Sequence, residues 1–163
     1  MRQEIKFTGY WVRTLGSGAR ILEPAKFKNQ GDRAVEIQRV SSGSSWEARV
    51  GYCRAMKVGA QIFVSGTAPS DGTGGTYAPG DAYAQTKRCF EIIQAALQEL
   101  GADLSDIVRT RLYITDFAYW EDFARAHQEL FGDHPPASCM VAIAGLVNLD
   151  MLVEVEADAI VMD

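Results

Sequence analysis

Residues 138–161, SCMVAIAGLVNLDMLVEVEADAIV, decide the fold. They read as two β-strands around a short connection. In the second strand Met151, Val153, Val155, Ala157, Ala159 and Val161 share one face, and Leu152, Glu154, Glu156, Asp158 and Ile160 share the other. Period-two alternation marks a strand that is apolar on one side. The other side carries three acids at alternate positions, an arrangement that calls for cations nearby. The rest of the chain supplies what packs on the first face and what answers the second.

The cations lie in residues 107–115, IVRTRLYIT. There Val108, Thr110, Leu112 and Ile114 share one face, and Arg109, Arg111 and Tyr113 share the other. Set beside 151–161, Arg109 and Arg111 answer Glu154 and Glu156. Two helices cover the apolar side. Asp81 caps the first, which runs to about Leu100 with Phe90, Ile93, Leu97 and Leu100 at helical spacing and Gly101 just past its end. The second spans 119–131, with Trp120, Phe123, His127 and Leu130 on its buried stripe, and ends at Gly132. Upstream, 35–41 is a strand and Ser41–Ser45 a loop. Residues 49–58 and 60–66 form a hairpin turning at Gly59. It leads into Ser65, Gly66 and Thr67, small residues that let a ligand approach the backbone closely. The glycine-rich stretch 70–80 lacks the Lys-Ser/Thr of a phosphate loop and serves as a connector.

The element order is β-β-β-α-β-α-β-β. This is an α+β architecture, with two helices side by side on one face of a six-stranded sheet. The other face, half apolar and half ionic, is expected to be a subunit interface.

The chain has 163 residues, 47% of them hydrophobic, enough for one core over 35–163. No apolar run approaches the ~20 residues of a membrane span. Cys53, Cys89 and Cys139 have no metal-ligand spacing and suit a reducing, cytoplasmic setting. Net charge is −5, against the basic footprint of a nucleic-acid binder. Residues 1–34 stand apart, with seven Lys/Arg against three Asp/Glu, where 35–163 hold nine against eighteen. They are either an appended extension or an arm that docks on the acidic body. Within them, 3–14 has the alternation of a strand, 15–19 of a turn, and 21–34 is irregular.

An ordered set of short motifs then resembles a known family. Gly51-Tyr52 through Val58-Gly59 comes first, followed by Ile62-Phe63-Val64-Ser65-Gly66 and Pro69. Further on come Leu100-Gly101, Asp106-Ile107-Val108, Tyr113-Ile114-Thr115-Asp116, Pro136-Ala137-Ser138-Cys139 and Val153-Glu154-Val155-Glu156-Ala157. Together, over about 36–161, they are similar to the Rid (reactive intermediate deaminase, YjgF-like) family. The resemblance implies a chorismate-mutase-like fold, a homotrimer with small-molecule clefts between subunits, and hydrolysis of enamines or imines to a keto acid and ammonia without metal or cofactor. It carries a cleft tyrosine onto Tyr52, a backbone turn onto Ser65–Thr67, a cysteine onto Cys139 and a water-positioning glutamate onto Glu154. The family's carboxylate-gripping arginine, just before the Ser138-Cys139 pair, falls on Ala137, whose side chain cannot bind an anion. This chain therefore reads as a divergent branch.

The candidates that follow are Glu154 and Cys139 for chemistry. Tyr52, Ser65, Gly66, Thr67, Ala137, Ser138, Arg109, Arg111 and His127 are the candidates for binding. Arg109 and Arg111, with Arg54 as a third choice, are the replacements for the missing grip, and His134 lies close in sequence to Ala137. Each has a plainer alternative. Tyr52 is otherwise a strand aromatic, Cys139 a small apolar residue, Glu154 an ion-pair partner of Arg109 or Arg111, and His127 a core histidine. Three functions compete: a Rid-type hydrolase of an atypical enamine or imine, a non-catalytic trimer that binds a metabolite, and the ribonuclease activity sometimes attributed to the family.

Overall fold

The computed structural model describes residues 35–162 in full and, before them, the backbone of three short strands. The chain divides into two compact units, Met1–Val35 and Glu36–Asp163. In the first, β1 (Lys6–Phe7), β2 (Tyr10–Thr14) and β3 (Arg20–Leu22) pair antiparallel in that order. The single strand expected over 3–14 is thus two, and Ile21 and Leu22 are in a strand. The turn at 15–19 and the irregular reading of 23–34 lie outside the described residues.

The second unit contains β4 (Ile37–Val40), α1 (Ser45–Val50), β5 (Ala55–Val58), β6 (Gln61–Thr67) and α2 (Ala82–Glu99). After these come β7 (Ile107–Ile114), α3 (Trp120–Phe131), β8 (Ala137–Ala142) and β9 (Val153–Ile160). The six strands form one mixed sheet in the order β4-β5-β6-β9-β7-β8. The α+β class and the six-stranded sheet are as expected. The two strands of 138–161 are not neighbours, however. β9 is central, between β6 and β7, while β8 lies at the edge and pairs parallel to β7. The buried Gln85 holds the connection between them. Its amide donates to the carbonyls of Ala78 (3.2 Å) and Asp150 (2.8 Å), and its carbonyl accepts from the Leu152 amide (2.8 Å).

Register separates the two faces. Val40, Ala55, Val64, Ala157, Thr110 and Ser138 form one row across all six strands. This row faces α2 and α3 and is buried except at its Ser138 end. Arg39, Met56, Phe63, Asp158, Arg109 and Ala137 form the adjacent row on the opposite, open face. Under the helices the fully buried Phe90, Phe123 and Phe131 fill the core, and Phe90 meets Phe131 edge to face at 5.1 Å. Two expected core positions are outside it. Val108 is exposed because a bulge between Ile107 and Arg109 shifts the β7–β9 register, and Trp120 is exposed on the first turn of α3.

The hairpin arm expected over 49–58 is a strand only from Ala55. Its first part belongs to the extra helix α1, capped by the Ser44 hydroxyl accepting from the Trp46 amide and closed by Gly51 at φ 86°. The Ser41–Ser45 loop accordingly stops at Ser44.

The α2 caps are as read. Asp81 accepts from the Ala84 amide at 2.9 Å. Gly101, at φ 77°, donates to Gln98, and Ala102 donates to Leu97, closing a Schellman turn. Asp81→Ala is expected to cost about 1 kcal/mol, the usual worth of an N-cap, measurable by urea unfolding.

Candidate functional site

The candidate site lies on the open face, at the bulge that interrupts the β6–β9 ladder between Val64 and Thr67. A bulge leaves carbonyls without ladder partners. Here one buried guanidinium takes them. Arg54 Nη1 donates to Ser65 O (3.1 Å), Gly66 O (2.7 Å) and Thr67 Oγ1 (2.7 Å). Its Nη2 reaches Tyr52 Oη at 3.4 Å, and the guanidinium lies 5.5 Å from the Tyr52 ring centre.

Arg54 is only 6% exposed and needs a counter-charge. Glu47, on α1 and equally buried, supplies it, with a carboxylate oxygen 3.9 Å from Arg54 Nε. The same carboxylate accepts from the Ser41 hydroxyl, the Ser42 hydroxyl (2.6 Å) and the Ser42 amide (3.0 Å). Burial pushes the Glu47 pKa up, but these hydrogen bonds and Arg54 outweigh it and hold the group below the ordinary glutamate value. This explains why α1 forms where alternation suggested a strand: it presents Glu47 to Arg54.

Glu154 sits opposite the bulge. A Cβ added at Gly66 would come within 2.5 Å of its Oε1, so a larger residue there would push this carboxylate from its place beside the backbone. Among the described residues no side-chain hydrogen bond or ion pair reaches it. Burial raises its pKa, Glu156 adds to the rise, and Arg54 opposes it. In front of Glu154 is a cleft of about 520 Å³, lined also by Tyr113, Glu156 and the Ile143–Val147 loop.

Arg109 and Arg111 do not pair with Glu154. Arg111 contacts Asp158 at 3.1 Å and Glu156 at 3.6 Å, whereas Arg109, more than half exposed, has among the described residues a single ion pair, with Asp158 at 3.9 Å. In the register Arg109 stands directly beside Ala137, and Arg111 beside the exposed Cys139. Two groups of predicted residues therefore share the open face. Tyr52, the Ser65–Thr67 turn and Glu154 form one. Ala137, Cys139, Arg109 and Arg111 form the other. Ala137 is two strands across and four residues along from Glu154, about 16 Å by sheet spacing.

Several expectations need correction. Ser138 and His127 are on the helix side, away from both groups, because adjacent strand residues point to opposite faces. His127 Nε2 lies 2.9 Å from Thr110 Oγ1, which is 2.9 Å from Ser138 Oγ. The Ser65 and Thr67 hydroxyls are already engaged, by Cys53 O and by Ser65 O, both at 2.8 Å. His134 is exposed beside Phe131. Sequence reasoning passed over Tyr113, whose hydroxyl donates to Glu156 at 3.2 Å, although alternation had set it on the arginine face. No metal-binding cluster occurs among the described residues, and none of their helices is long and apolar enough to cross a membrane.

Comparison with known proteins agrees with this architecture. The family model described as Endoribonuclease L-PSP matches residues 42–161. A RutC family protein of Pyrococcus abyssi is 40% identical over 108 residues, covering 66% of this chain and 84% of its own. An uncharacterized protein of Streptomyces coelicolor is 34% identical over 123 residues, 76% of this chain and 91% of its own. The crystal structure of Rv2704 from Mycobacterium tuberculosis, described as a YjgF/YER057c/UK114 family member, superposes with a TM-score of 0.70. It is 40% identical and covers 77% of this chain and all of its own. The open-faced sheet, the glycine bulge over Glu154 and these likenesses lead to one conclusion: the chain belongs to the Rid/YjgF family.

Proposed function

We propose that the protein hydrolyses a reactive enamine or imine, releasing ammonia, in a cleft completed by a second copy of the chain, the family resemblance implying a homotrimer. The observation that carries the reading is the half-buried Glu154 carboxylate, without a side-chain partner among the described residues and held against the Gly66 backbone at the cleft. A carboxyl whose pKa is raised is suited to general-base work.

In the proposed reaction the imine nitrogen takes a proton from solvent, and water adds to the C=N carbon and gives a proton to Glu154. Glu154 returns its proton to the nitrogen of the resulting carbinolamine. The C–N bond breaks, ammonia leaves, and the hydroxyl becomes the carbonyl by giving its proton to the Glu154 carboxylate, which passes it to solvent. Arg109 takes the anion-binding role that Ala137 cannot fill, since it stands beside Ala137 and is the less engaged of the two arginines on β7. Cys139 lies in the adjacent row and contributes to that wall. Arg109 is one strand across and four residues along from Glu154, about 14 Å by sheet spacing, too far within one chain for a small substrate to reach both, which supports a cleft built by two copies.

The test generates 2-iminobutanoate in place with a threonine dehydratase and follows keto-acid formation against a trapping amine. It compares the natural protein, Arg109→Met and Ala137→Arg. The expected result is activity in the natural protein, lost about 100-fold in Arg109→Met, the consequence of leaving a carboxylate without its charged partner. Activity in Ala137→Arg alone would show an intact cleft whose natural substrate lacks that carboxylate. Inactivity in all three would favour the non-catalytic metabolite-binding reading.

A further inference from the structure

On the helix side of the sheet a second cleft of about 300 Å³ opens between α3 and β8. Ala124, Met140 and Pro135 give it an apolar wall over the buried Leu112 and Phe131, and His127 and Ser138 are the polar groups that converge there with Gln128. No Asp, Glu, Lys or Arg lines it. Leu112 and Met140 alternate in sequence with Arg111 and Cys139, so the sheet separates this cleft from the one at Glu154.

Its polar groups form a chain. The fully buried Thr110 hydroxyl sits between His127 Nε2 and Ser138 Oγ, 2.9 Å from each. The His127 ring is fixed by Phe131, with centroids 4.6 Å apart, and by Phe90, edge-on at 5.8 Å. Burial lowers the His127 pKa and favours a neutral imidazole. Its Nδ1 has no hydrogen bond among the described residues. It is also not one of the sealed polar atoms left without a partner, which are Arg54 Nε and Thr76 Oγ1. Nδ1 is therefore accessible, and His127 lines the cleft.

The chain limits what Nδ1 can do. If Thr110 donates to His127 Nε2, Nδ1 carries the proton and donates. If Thr110 donates to Ser138, Nε2 carries the proton and Nδ1 accepts. A ligand hydroxyl, both donor and acceptor, satisfies either arrangement. A carboxylate fits poorly, because it can only accept and would enter an apolar cleft with no cation.

We infer that this α3–β8 cleft binds a small neutral aromatic alcohol or phenol, its ring against Met140, Ala124 and Pro135 and its hydroxyl at His127 Nδ1 and Ser138. A mostly apolar cleft with a few convergent polar groups is the usual form of such a site. The inference does not depend on the reaction proposed at Glu154.

The experiment titrates phenol, benzyl alcohol, toluene and benzoate into the full chain and follows the methyl NMR signals of Leu112 and Met140. Phenol and benzyl alcohol are expected to shift these methyls saturably, toluene about 10-fold more weakly, and benzoate not at all. The natural chain alone gives this answer. Ala124→Phe, which fills the cleft from α3 and is checked for folding by its melting curve, is expected to abolish the shifts. Methyls that stay still under phenol would overturn the inference, as would shifts that persist in folded Ala124→Phe. Toluene or benzoate binding as tightly as phenol would overturn the assigned hydroxyl recognition.

Discussion

Glu154→Gln is expected to lower imine hydrolysis by about 10²–10⁴-fold, the usual contribution of a positioned general base. The amide keeps the shape against Gly66 but cannot take the water's proton. The same substitution is expected to stabilise the fold at neutral pH. Burial and Glu156 raise the Glu154 pKa despite Arg54, so the ionised form is disfavoured in the folded state. A carboxyl whose folded pKa lies above its unfolded value costs stability above the folded pKa, and that cost disappears as pH falls toward the unfolded value. The melting temperature of Glu154→Gln should therefore exceed that of the natural protein at pH 7, with the gain shrinking as pH falls through the raised pKa. The natural rate should fall over that same interval as Glu154 becomes protonated. Loss of activity with a gain in stability separates a functional carboxylate from a structural one. Unchanged turnover in the variant would remove Glu154 from the mechanism.

Arg54→Met is expected to cost about 3–5 kcal/mol, the effect of removing one member of a buried ion pair. The loss has two parts. Glu47 stays buried without its counter-charge, and at the bulge the Gly66 carbonyl loses its Arg54 donor while the Ser65 carbonyl keeps only the Thr67 hydroxyl. Adding Glu47→Gln to the variant should recover the first part and not the second. Chemical denaturation of the single and double variants measures the split. A cost below about 1 kcal/mol for Arg54→Met would show that the bulge holds itself, and the tie between α1 and the site would fail.

The sheet was legible where its signal is local. Alternation in 151–161 and 107–115 put the acids of β9 on one face and Arg109, Arg111 and Tyr113 on one face of β7, because side-chain direction follows from sequence position alone; that the two strands are neighbours, with Arg111 against Glu156, comes from the structure. Partners distant in sequence were not legible. Arg54 sits in a stretch that alternates like a strand, and its burial depends on a bulge eleven residues further on and on Glu47 seven residues earlier. The six-residue α1 is too short to show a helical period, and its Ser44 cap sits in a run of serines that reads as loop. The edge position of β8 depends on its parallel pairing with β7, which no local pattern specifies. One error was avoidable. Ser138 and Cys139 are adjacent in a strand and cannot both face one cleft. The alanine at 137 was visible at once, and Arg109, Arg111 and Arg54 were all candidates to replace the missing arginine; that Arg109 is the one beside Ala137 emerges only from the register.

The most direct test of a site shared between two copies uses two inactive variants together. Glu154→Gln and Arg109→Met chains are unfolded, mixed in equal amounts and refolded, with mixed oligomers confirmed by native mass spectrometry. If the site takes Glu154 from one copy and Arg109 from another, random assembly restores about one quarter of the natural sites, and imine hydrolysis returns to about that level. Mixed oligomers no more active than the separate variants would contradict the account, placing both residues in one chain's site or outside the chemistry.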